Sequence, residues 1–116
     1  MKHAVAAAAW ILGLAVGFAQ GQPRTLQILE PTADAFLVGE STFRATVLPA
    51  EADVVSVEFF VDGRLVCVAR EPPFTCAAGV GDQIAPRAVR VIAYLRGGDR
   101  LVGTVRTPGG VVESAG

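Results

Sequence analysis

The sequence predicts an all-β domain, a Greek-key sandwich of about seven short strands, set behind an N-terminal export leader. Three observations carry that expectation. Apolar and polar residues alternate with a period of two through Phe43–Val47, Val57–Val61 and Val89–Leu95. Turn residues recur between such runs, with Asp62-Gly63 and Gly97-Gly98-Asp99 the sharpest cases. Beyond the first residues, no stretch repeats its apolar positions at a helical period.

The leader comes first. Lys2 supplies a positive start, Ala4 to Phe18 is continuously apolar, and Gly17 with Ala19 supplies small residues for cleavage. Residues 1–19 are therefore read as a signal peptide cut after Ala19, which sends the product to the periplasm or outside the cell. The alternative is an uncleaved membrane anchor. A run of about fifteen apolar residues is short for a bilayer that asks for about twenty. No cysteine follows the cut, so a lipid-modified N-terminus is not expected.

Residues 25–107 form the domain. Thr25 to Glu30 alternates until Pro31 stops it, as an edge strand does. Pro31 to Asp34 is a turn, Phe36 to Val38 is expected to pair briefly, and Ser41 to Leu48 is a strand with one wet face. The stretch from Val54 to Cys76 organises the rest. Val57, Phe59 and Val61 alternate with Glu58 and Phe60, and Asp62-Gly63 offers the positive dihedrals of a two-residue turn. An unbroken register then sets Val61 opposite Arg64, Phe59 opposite Val66 and Val57 opposite Val68, and places Cys67 with Phe60 and Leu65 on the other face. Phe74 to Ala78 is a short strand, followed by the long connection GVGDQIAP. Arg87 to Leu95 alternates most clearly and is expected at the centre of a sheet. Its turn, Arg96 to Asp99, leads into a last strand, Arg100 to Thr107. Residues 108–116 carry no pattern and read as a flexible tail. Phe43, Val57, Phe59, Phe74, Val89 and Val91 are the expected core.

Composition excludes more than it selects. Cleavage removes Lys2 and His3, the one lysine and the one histidine, which leaves nine arginines against eleven acids and a net charge of 9 − 11 = −2. The arginines are scattered singly from Arg24 to Arg106, so no basic stripe for nucleic acid forms. Without histidine or lysine the mature domain lacks a general base near neutral pH, a Ser-His-Asp triad and a histidine zinc site. The loop acids Asp34, Glu40, Glu51, Asp53, Asp82 and Asp99 do not converge as a calcium site requires. A chain this short has no insertions to build a substrate cleft. No catalytic residue, metal, cofactor or small-molecule substrate is expected.

The segments VEFFVDG (57–63), Pro72-Pro73-Phe74 and the Val89, Val91, Ala93 alternation resemble bacterial immunoglobulin-like domains of secreted proteins. In particular they are similar to the module that precedes von Willebrand factor A-like regions. The likeness runs from Leu26 to Thr107. It implies an immunoglobulin-like sandwich, a spacer, adhesion or assembly role without catalysis, and an inward-pointing ring for Phe74, where the chain crosses between sheets. The neighbouring region it implies lies outside this sequence.

Cys67 and Cys76 are the two cysteines, and export places them in an oxidising compartment, which favours a disulfide over two buried thiols. Alternation puts Cys76 on the Phe74 face and Cys67 opposite Phe59, so the bond has to span the crossover. The loop between them, with Arg70, Glu71 and Pro72, resembles the reactive loop of Bowman-Birk type protease inhibitors, and a small secreted inhibitor is the alternative function. The leading expectation is a protein-binding or self-associating module. If the Phe59 and Val89 strands are neighbours, Phe60, Leu65, Ile92 and Tyr94 share one outer face, and such an apolar patch marks a contact surface.

Overall fold

The computed structural model describes residues 23–109; the expected leader and residues 110–116 of the expected tail lie outside them. Seven strands form: β1 (Thr25–Glu30), β2 (Glu40–Leu48), β3 (Val54–Val61), β4 (Arg64–Ala69), β5 (Phe74–Gly79), β6 (Arg87–Leu95) and β7 (Arg100–Thr107). They build a three-stranded sheet in the order β1-β2-β5 and a four-stranded sheet in the order β4-β3-β6-β7, with every pairing antiparallel. The connections β2–β3, β4–β5 and β5–β6 cross between sheets, which makes the Greek key. The segment 36–38 does not pair as expected. Leu37 is buried there while Phe36 and Val38 face solvent, so Leu37 alone ties this segment to the core.

The period-two pattern decides the packing because each strand turns alternate side chains inward. Phe43, Ala45 and Val47 from β2 and Phe74 from β5 meet Val57, Phe59, Val89, Val91 and Ala93 from β3 and β6, all nearly inaccessible. Phe43 and Phe59 touch across the two sheets with ring centroids 5.8 Å apart and planes tilted by 43°. That arrangement suits the ring quadrupoles better than a parallel stack. The side where β1 meets β7 is closed differently. Gly103 leaves room for Leu26 and Ile28, whose methyl groups would lie 3.3 and 3.4 Å from a Cβ placed there.

Both turns adopt the backbone that their sequences suggest. Asp62 and Gly63 have φ of 51° and 85°, as a primed hairpin turn demands, and Gly97 and Gly98 have φ of 100° and 105°. Asp62 also reaches beyond its own hairpin. Its backbone N–H donates to the Ala88 carbonyl at 2.8 Å, and its Oδ1 accepts from the Ala88 N–H at 2.9 Å. Arg87 Nη1 donates to Oδ2 at 3.2 Å.

The hairpin register departs from the unbroken one. Val61 pairs with Arg64 and Phe60 with Leu65, but Phe59 then pairs with Cys67, Glu58 with Val68 and Val57 with Ala69. Val66 is the extra residue of a β-bulge, and past it every side chain of β4 changes face. Cys67 is therefore an inward residue that packs against the core, not a companion of Phe60 and Leu65. Val68 moves to the outer face instead.

The bulge resolves how the crossover is spanned. Cys67 on β4 and Cys76 on β5 lie at edges of opposite sheets, and their sulfurs are 2.06 Å apart with Cα atoms separated by 6.4 Å. Both sheets are thus joined covalently at one edge. The chain enters the sandwich at the pole of the 49–53, 70–73 and 96–99 connections and leaves it at the opposite pole. There Pro108 and Gly109, the first residues of the expected tail, are half-buried, and a Cβ at Gly109 would fall 2.5 Å from the ring of Pro86.

Candidate functional site: the outer face of the four-stranded sheet

The two outer faces of the sandwich differ in kind. That of β1-β2-β5 presents Gln27, Thr42, Arg44, Thr46 and Thr75, a mostly polar surface in which Leu48 and Ala77 are the apolar members. The face of β4-β3-β6-β7 is laid out in rows by the ladder register. One row reads Leu65, Phe60, Arg90, Thr104, and the next reads Val68, Glu58, Ile92, Val102. A third holds Ser56, Tyr94 and Arg100.

All four residues expected to share this face do so. Phe60 is half-buried and Leu65 is 48% exposed beside it. Ile92 is only 8% exposed although it points away from the core, because its row neighbours cover it. Tyr94 lies half-buried, and its hydroxyl donates to Glu58 Oε1 at 3.0 Å. Two further members were not expected. Val68 arrives through the bulge, and Val102, 49% exposed, stands next to Ile92. The RGGD turn sets the β6–β7 register, so Val102 could have been placed by counting back from it; Val68 could not.

Charge interrupts the two apolar rows at two points, and Arg100 adds a third charge beside Tyr94 in the row below. Glu58 stands in the middle of its row between Val68 and Ile92, and Arg90 stands beside Phe60. Among the described residues neither takes part in an ion pair. The tyrosine hydroxyl is the hydrogen-bond partner of one oxygen of the half-buried Glu58 carboxylate.

The loop proposed as an alternative site is short. Ala69 and Phe74 are buried strand residues, so Arg70, Glu71, Pro72 and Pro73 alone project. Phe74 is fully buried, in the place the resemblance assigns to it. A cavity of about 280 Å³ opens near the other pole between Val61, Val66, Val80 and the Asp62–Arg87 pair. The hydrogen bond from the Ala88 N–H, helped by Arg87, holds the Asp62 carboxyl below its usual range. That acid is a strut of the β3–β6 junction, with one partner on each of its oxygens.

No protein-family model matches the chain, and no curated protein matches it. Among solved structures, it is similar to the fibronectin(III)-like modules of Clostridium thermocellum CbhA, with a TM-score of 0.61 and 19% identity. The match covers 78% of this chain and all of that one. The fold is that of a fibronectin(III)-like module. Its two-sheet frame is the immunoglobulin-like sandwich that VEFFVDG and the Pro-Pro-Phe crossover pointed to. On a fibronectin(III)-like frame the strands are fixed and the outer faces are free to vary, so what distinguishes this chain is the chemistry on those faces.

Proposed function

We propose that the chain is an exported, non-catalytic sandwich module that binds protein through the outer face of β4-β3-β6-β7. One observation carries this reading: of two solvent-facing sheets built from the same alternation, one is polar but for Leu48 and Ala77, and the other sets Phe60, Leu65, Val68, Ile92 and Val102 together. A contiguous apolar patch of that kind on a small domain often marks a contact surface. Export is supported by the apolar N-terminal run and by a cysteine pair at bonding distance. The absence of lysine and histidine after Ala19 supports a role without acid-base chemistry. Entry and exit at opposite poles suit a module strung end to end with a neighbour, and the resemblance to domains ahead of von Willebrand factor A-like regions points the same way.

The test uses photo-crosslinking side chains at Leu65 and Val102, and in control variants at Thr42 and Thr46, in cells that produce the full chain. Adducts are expected from the first pair only. Equal adducts from both faces, or none from Leu65 and Val102, remove the reading. Mass spectrometry of the exported protein checks the leader, with Gln20 as the expected first residue.

A further inference from the structure

We infer that the outer face of the four-stranded sheet is its own complement: a second copy of this chain covers it, with Glu58 of each copy set against Arg90 of the other. The inference rests on the reading of that face as a protein contact. Its four central positions form a rectangle, with Phe60 beside Arg90 and Glu58 beside Ile92. The apolar pair occupies one diagonal and the charged pair the other.

A two-fold axis laid along the Phe60–Ile92 diagonal therefore stacks Phe60 on Phe60, sets the side chains that cover each Ile92 against one another, and brings each Glu58 over an Arg90, with the exposed Arg100 of each copy at the rim where the axis leaves the sheet. The strands of the two copies then cross steeply, as orthogonally packed sheets do, and the contact is isologous, as a closed dimer requires.

Burial makes the charges selective. Glu58 is harmless while water reaches it, but any partner that covers this face without a cation at that point leaves a carboxylate desolvated and unpaired. The same partner needs an anion over Arg90. This face supplies both charges across its own diagonal, and among the described residues both are unspent. Tyr94 fixes Glu58 in place through its 3.0 Å hydrogen bond, which lowers the ordering cost of the new pair. Four strands about 4.8 Å apart, each contributing a few residues, cover on the order of 400 Å² per copy, so the dimer belongs to the small, weak class of interfaces.

Sedimentation equilibrium of the exported protein, from low micromolar to sub-millimolar concentration, tests the inference. The wild type is expected to move from monomer toward dimer across that range. Glu58→Arg alone and Arg90→Glu alone each set like charges together and are expected to weaken association at least about tenfold. An equimolar mixture of the two single variants restores both pairs in a mixed dimer, as does the double variant with itself. Circular dichroism of each variant confirms that the sandwich is intact.

A wild type that stays monomeric overturns the inference, as do single variants that associate normally or a mixture that fails to recover. A monomeric wild type that still yields adducts to a different protein from Leu65 and Val102 removes self-association and leaves the protein-contact reading standing.

Discussion

Cys67 is the cross-strand partner of Phe59, and both point into the sandwich. Because Val66 takes up the extra place in β4, the half-cystine sits where it can reach Cys76 on the facing sheet. The bond closes a loop of nine residues' separation. In the chain-entropy description a loop that short contributes about 2–3 kcal/mol, a sizeable part of what holds a small domain together. Replacing both Cys67 and Cys76 with alanine is therefore expected to lower the unfolding free energy by about that amount. Urea titration of the variant beside wild type, with and without reductant, measures it. Reductant should shift the wild-type midpoint and leave the variant unmoved; a midpoint insensitive in both would dismiss the bond as a stabiliser.

The Phe43–Phe59 contact is the centre of the core, and neither ring is accessible to water. Truncation of Phe59 to alanine leaves a cavity between two sheets that the disulfide keeps from collapsing fully. A loss of about 3–5 kcal/mol is expected, enough to populate the unfolded state of a domain of ordinary stability. Thermal unfolding followed by circular dichroism gives the answer, and a Tm within a few degrees of wild type would contradict it.

Gly103 is held small by its neighbours, not by its backbone dihedral. Leu26 and Ile28 already fill the space that a side chain would enter. Gly103→Val is expected to cost about 1–3 kcal/mol through overpacking. Gly103→Ala should cost much less, because the tip of Leu26 can move by a few tenths of an ångström. Denaturant midpoints of the two variants are the measurement, and equal midpoints would contradict the packing account.

Asp62 makes stability depend on acid. Its carboxyl is held below the ordinary value, first by the Ala88 N–H and then by Arg87. The folded state therefore binds that proton less readily than the unfolded chain. The contribution is complete above the unfolded value of about 3.9 and disappears as pH falls through the lowered folded value. Asp62 is nearly half exposed, so solvent screening keeps the contribution under about 1 kcal/mol. Asp62→Asn is expected to lower stability at pH 7 and to flatten its decline between about pH 5 and pH 3. Unfolding curves that stay parallel to wild type across that range would rule the strut out.

Most of the frame could be read from the residues, because it depends on a period of two and on turn chemistry. Six of the strands end within a residue of where their alternation or their prolines stop, and the six residues taken as the core are fully buried. The hairpin shows where such reading ends. Nothing between Arg64 and Ala69 marks Val66 as the bulged residue, since Leu-Val-Cys-Val is apolar on both parities. The bulge is tied to the crossover, as the register that puts Cys67 inside closes the bond to Cys76. Phe36 to Val38 looked like a pairing segment by composition alone, and β2 and β5 pair with each other instead. On the outer face, Phe60, Leu65, Ile92 and Tyr94 were placed by parity, while the central position of Glu58 and its tie to Tyr94 required the strand order.

The route of the chain through the sandwich has a mechanical consequence. β1 starts at one pole and β7 finishes at the other, so tension applied along the polypeptide pulls these two strands in opposite senses, lengthwise. The hydrogen bonds of the β1–β2 and β6–β7 ladders lie across the pull and are loaded together in shear, not opened one after another like a zip. Leu26 and Ile28, lodged over Gly103, must slide past it before the strands part. The disulfide lies at the far edge of the sandwich, off this load path, so reduction should soften the domain to heat and leave its resistance to stretching almost unchanged.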